Sequence, residues 1–138
     1  MPANTLPVFS RLADIQWSAS ALAAANTAKD GTGAVMPCFT ADAANGGFVQ
    51  RLIARPLGTN VATVLRVFVN NGLTNATPAN NTLIGELTLP ATTLSEVAAQ
   101  PDYVLPLNFA LPAGFKINCT LGTAIAAGVD LTVIGGKY

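Results

Sequence analysis

Residues 57–72 read LGTNVATVLRVFVNNG. From Thr63 the stretch alternates: Thr63, Leu65, Val67 and Val69 on one side, Val64, Arg66 and Phe68 on the other, until it breaks at Asn71-Gly72. A period of two marks a β-strand, and β-branched and aromatic side chains suit its pleated surface. Both sides carry large apolar groups, so this strand is expected to be covered twice. One side faces the core of a sandwich. The other lies under a loop of the same chain, such as residues 18–31, or against another subunit.

Working outward, seven more strand signals are separated by Gly, Pro and Asn punctuation. ADIQWSA (13–19) places Ile15 and Trp17 on one face, which reads as core. GAVMPCFTA (33–41) holds Pro37, which cannot donate to a ladder and so marks an edge or a bulge. FVQRLIARPLG (48–58) ends near Pro56, and the turn-rich residues 70–81 precede TLIGELTLP (82–90), where Leu83, Gly85, Leu87 and Leu89 share a face. DYVLPLNF (102–109) and ALPAGFKINCTLG (110–122) follow, with a tight turn at Pro112-Ala113-Gly114. Beyond it Phe115, Ile117, Cys119 and Leu121 face one way and Lys116, Asn118 and Thr120 the other, a pattern of one buried and one wet face. GVDLTVIGGKY (128–138) is the last strand signal.

Helix signals are poor. SASALAAANTAKDG (18–31) is Ala-rich without a wide apolar stripe and reads as a long loop or arm with room for a short helix. In TTLSEVAAQ (92–100), Thr93 and Glu96 have capping-box spacing, which predicts at most two helical turns before Pro101. About eight short strands without alternating helices predict an all-β, antiparallel, jelly-roll-like β-sandwich. The chain reads as a single domain over 1–138, with 1–11 and 18–31 as arm or loop segments.

The composition narrows function mainly by exclusion. Of 138 residues, 51% are hydrophobic and only 10% charged, with a net charge of zero. The surface must then be built largely from Thr, Asn, Ser, Gly and Ala, and weak self-repulsion favours association. The seven basic residues are scattered, although Arg51 and Arg55 share a strand face that Arg66 would extend. Nucleic-acid binding calls for a basic stripe, and none is expected here. The amino-terminal MPANTLPVFSRL lacks the basic start and apolar run of a signal peptide, and no apolar run is long enough to span a membrane. Cytoplasmic synthesis is therefore expected, with Cys38 and Cys119 reduced and buried as small hydrophobes; the alternative is a single disulfide between them. The Asn-x-Thr triplets at Asn75, Asn80 and Asn118 then carry no glycan.

Catalytic signals are equally sparse. His is absent, which removes His-based triads and the commonest zinc ligand. Phosphate-loop and dinucleotide fingerprints are lacking, KDGTG (29–33) is too sparse for calcium, and no cofactor is expected. Glu86 and Asp130 are the best candidates for a glycosidase pair; the plainer reading puts each on a solvated strand face or beside an Arg such as Arg51 or Arg66. The aromatic residues are few and dispersed, which argues against a sugar-stacking platform.

Taken together, LGTNVATVLRVFVNNG, NNTLIGELTLP, LPAGFKINCTLG and GVDLTVIGGKY give residues 47–138 a texture that resembles the head decoration or cement proteins of tailed bacteriophages, in particular the jelly-roll cement type of short-tailed phages. The resemblance implies a non-enzymatic protein of the virion, made in the host bacterial cytoplasm. It would bind the outer capsid surface, clamp neighbouring major capsid subunits and self-associate as a homodimer or other homo-oligomer. The family has no motif from which site residues can be carried over. The sequence itself suggests Leu6, Val8 and Phe9 of the first arm, and Val64 and Phe68 of the twice-covered strand, as interface residues. The alternative is a sugar- or receptor-binding jelly-roll module of a phage tail or fibre, marked by a wet Trp17 or Tyr103 in a groove. An enzyme is the third reading.

Overall fold

A computed structural model describes residues 10–138, and the eight strand signals are eight strands: β1 (Leu12–Trp17), β2 (Met36–Thr40), β3 (Gly47–Pro56), β4 (Thr63–Asn70), β5 (Asn81–Leu89), β6 (Tyr103–Leu111), β7 (Lys116–Leu121) and β8 (Val129–Lys137). They form two four-stranded antiparallel sheets, ordered β1-β8-β3-β6 and β2-β7-β4-β5. The pairs are nested. β4 pairs with β5, β3 with β6, β2 with β7 and β1 with β8, so the chain is one long hairpin rolled over itself. That is a jelly-roll β-sandwich, as the punctuation of the sequence predicts. Among the described residues the helical content is one short turn at Pro78–Asn80, and no helix is long and apolar enough to cross a membrane.

The core is the meeting of two inward faces. Leu52 and Ala54 of β3 and Leu131 and Val133 of β8 come from one sheet; Leu65 and Val67 of β4 and Ile117, Cys119 and Leu121 of β7 come from the other. All are fully buried, and each large side chain contributes about 1.5–3 kcal/mol by leaving water. These are the central strands. The outer strands add half-buried groups such as Leu87, Tyr103, Leu105 and Leu107. Pro37 lies on edge strand β2 beside a bulge, and Pro56 ends β3, where neither costs a ladder bond.

Residues 18–31 form the long loop that was one of their two expected forms, fastened where Leu22 bridges Val129 and Ala25 bridges Leu121. Two expectations are corrected. Residues 92–100 form no helix: the Ser95 hydroxyl, not Thr93, accepts the amides of Val97 and Ala98 in a local bend before Pro101. Trp17 and Ile15 are not core. They point outward and are 69% and 51% exposed, while Gln16 points in and holds the backbone of Thr40 through both its amide oxygen and its amide nitrogen.

Candidate binding face

The two sheets differ in how their outer faces are finished. On β4 the outward set is Val64, Arg66, Phe68 and Asn70, yet Phe68 and Asn70 are buried, as are Asn118 and Thr120 beside them on β7, so the side of β7 expected to be wet is covered instead. The cover is the loop after β1. It pairs with Leu121 at one end of β7 and is tied at the other to the connection after β4: Asn75 Nδ2 donates to the carbonyls of Gly31 (3.1 Å) and Gly33 (2.8 Å), and Asn81 Nδ2 to that of Asp30 (3.1 Å). The two anchors, with Phe68, Asn70, Asn118 and Thr120 buried between them, place the loop across the outside of β7 and β4. Asn26 keeps its shape, donating to Thr32 and Ala34 and accepting from Ala28. Amide side chains suit this work because each offers two donors and an acceptor without a charge to desolvate. Each such bond contributes about 0.5–1.5 kcal/mol.

Among the described residues no such strap crosses the outer face of β1-β8-β3-β6. The strand register lays its side chains in rows: Trp17, Thr132, Ile53 and Val104; then Ile15, Ile134, Arg51 and Pro106; then Ala13, Gly136, Phe48 and Ala110. Val104 is 45% exposed and Ile53 and Ile134 are half-buried, so with Trp17 and Ile15 the apolar surface runs across all four strands. Two shallow depressions lie in it. One, of ≈ 200 Å³, is lined by Ile53, Arg55, Asp130 and Thr132. The other, of ≈ 270 Å³, is lined by Gln50, Arg51, Val104, Pro106 and Asn108. The second coincides with paired bulges. Gln50 is an extra residue against β8, and β6 answers with its own irregularity, where Asn108 takes φ 56. Asn tolerates that left-handed conformation better than most residues.

The charged candidates separate. Glu86 is on the outer face of β5, where Arg66 Nε donates to it at 3.2 Å; Asp130 is on the outer face of β8, in the opposite sheet. Pointing away from each other across the sandwich, they cannot flank one glycosidic bond. Arg66 likewise lies on the other sheet from Arg51 and Arg55, so no patch of three forms. Arg55 makes a two-point ion pair with Asp102, Nε and Nη2 to the two carboxylate oxygens at 2.6 and 2.8 Å. That pairing lowers the Asp102 pKa. Hydrogen bonds from Thr32 lower Asp30, and the amides of Asn45 and Ala44 lower Asp42. Among the described residues there is no cluster of three or more groups able to hold a metal ion.

Of the interface residues suggested by the sequence, Leu6, Val8 and Phe9 lie outside the described residues. Val64 is half-buried, and Phe68 has no surface to offer a partner, because the loop of its own chain already covers it. Tyr103 packs against the core rather than standing in a groove. The residues that do form an open face, Ile15, Trp17, Ile53, Val104 and Ile134, carried one signal: Arg51, Ile53 and Arg55 share a parity, and two arginines mark that parity as outward. No protein-family profile matches the chain, and no curated protein matches it.

Stability against pH follows from the same groups. The lowered carboxylates contribute above the ordinary carboxylate range, and the contribution is lost as pH falls through it. Burial, and then the contact with Cys38, raises the Cys119 thiol well above its ordinary value, a contribution complete below that value and lost as pH rises beyond it. With no histidine to titrate between, thermal midpoints measured across pH are expected to be flat from about 5 to 8 and to fall on either side. A step near pH 6.5 would contradict this.

Proposed function

We propose that this chain is a non-enzymatic structural jelly roll that decorates a protein shell of the phage-head kind, and that the outer face of β1-β8-β3-β6 is the side that meets the major capsid protein. One observation carries the reading: a continuous apolar face with Trp17 69% and Ile15 51% exposed, beside an opposite face that the chain covers for itself. A monomer seldom leaves so large an apolar patch open unless it serves binding. The low charge also suits a protein that acts by burying surface and associates with its own copies, and repeated attachment on a closed shell lets modest contacts sum.

The test is decoration of capsid shells lacking this protein, scored as occupancy after sedimentation. Trp17→Ala and Ile15→Glu should each weaken attachment about 10-fold or more, since each removes a large apolar contact of about 1.5–3 kcal/mol, with little change in thermal midpoint. Wild-type occupancy for both variants overturns the reading.

A second reading, a sugar- or receptor-binding module, is favoured by the exposure of Trp17 next to Thr132, on the rim of the depression that holds Arg55 and Asp130. An indole face stacks on a pyranose ring while charged groups bond its hydroxyls. Saturable change of Trp17 fluorescence on titration with phage-receptor glycans, absent in Asp130→Asn, would choose it over shell binding.

A further inference from the structure

We propose that Cys38 and Cys119 are a latent internal crosslink: a small hydroperoxide converts them into a disulfide that staples edge strand β2 to β7. The two thiols are free, both are buried in the core, and their sulfur atoms are 3.3 Å apart. The bulge in β2 produces this contact. The ladder pairs Met36 with Cys119 and Phe39 with Ile117, and the register shift between Pro37 and Phe39 leaves Cys38 as the extra residue, its sulfur turned to the Met36 carbonyl and to Cys119. Two cysteines remote in sequence are thereby held within one small movement of bonding distance.

The order of reaction follows from position. Cys119 sits on β7, flanked by β2 and β4, whereas Cys38 is on a five-residue strand at the sheet edge. Short edge strands open at low free-energy cost, and peroxide is small enough to enter when β2 lifts. The Cys38 sulfur attacks the peroxide oxygen, the O–O bond breaks, and Cys38 becomes a sulfenic acid with release of water. The Cys119 sulfur then displaces that hydroxyl, which leaves with the thiol proton as a second water. In sum two thiols and one hydrogen peroxide give one disulfide and two waters: two electrons pass from the sulfurs to the oxygens. A bulky oxidant has no room to form a mixed disulfide at this buried site. Gln16 governs the opening, because it clips β2 at Thr40 to β1 through two hydrogen bonds.

The experiment exposes the folded full chain to hydrogen peroxide. It reads intact mass, thiols alkylatable after denaturation, and thermal midpoint. The expected product is a monomer lighter by two hydrogens, with no alkylatable thiol and a midpoint higher by on the order of 10 °C, all reversed by a reductant. Cys38→Ala and Cys119→Ala should show neither the mass change nor the upward shift. Gln16→Ala should crosslink several-fold faster while ending at the same product. The proposal is overturned if both thiols stay alkylatable after prolonged exposure, including in sub-denaturing urea. It is equally overturned if they gain oxygen as sulfinic acids, or if the chains join to one another instead.

Discussion

Phe68→Ala will destabilise this domain by about 3–5 kcal/mol, as much as Leu65→Ala on the opposite side of the same strand. For a residue on the outward side of a two-layer sandwich the usual expectation is a few tenths of a kcal/mol. The difference comes from the strap. Phe68 is fully buried without belonging to the main core cluster, because residues 22–33 pass over the outside of β4 and β7. Truncating it opens a cavity between sheet and loop. Urea unfolding should show a lower midpoint at unchanged slope. The strap itself can be tested in the same series. Asn81→Ala removes donors to Asp30 and Asn75, and the Phe68→Ala, Asn81→Ala double variant should lose less than the sum of the singles, since a loosened strap no longer buries the ring. A Phe68→Ala cost below about 1 kcal/mol would mean that the loop does not hold its place in solution.

Gly46→Ala should be still harder to tolerate, and Gly114→Ala shows why. Both glycines have left-handed backbones, φ 74 and φ 76. At Gly114 a new methyl meets nothing within 4 Å, so the cost is conformational alone, about 1–2 kcal/mol. At Gly46 it would sit 2.5 Å from the Leu111 carbonyl oxygen and 3.2 Å from the Ala113 amide, both main-chain atoms that cannot swing aside. Gly46 lies where the chain turns into β3, with its amide donating to Asp42, so relief would pull β3 from β6. A loss above about 3 kcal/mol is expected, which puts the Gly46→Ala thermal midpoint clearly below that of Gly114→Ala. Equal losses would show that the β3–β6 end can shift to admit a methyl.

The strands were legible because their cause is local. Alternation in 63–70 and 115–121 and the proline and glycine breaks report directly on pleat and turn. Trp17 was misread for a physical reason. The rule that the apolar side faces in holds for central strands, but β1 is an edge strand, and its inward side meets edge strand β2, where Gln16 bonds the backbone of Thr40. The asparagines were legible only as turn punctuation. Their work, Asn75 reaching Gly31 and Gly33, spans more than forty residues and leaves no periodic trace. The open face shares that difficulty: it exists only once β1, β8, β3 and β6, drawn from both halves of the chain, lie side by side.

The nesting of the strand pairs also dictates an order of assembly. Of the paired strands only β4 and β5 follow one another in the chain, so their hairpin is the one ladder whose closure costs little chain entropy. Each further pair encloses the last, out to Leu12 against Lys137. Folding should therefore start at the middle of the sequence and zip toward both ends, with β1 arriving last, on the slow milliseconds-to-seconds scale of non-local β topologies. Until it does, β8 presents an unpaired edge, and a second chain's β1 fits that edge as well as its own.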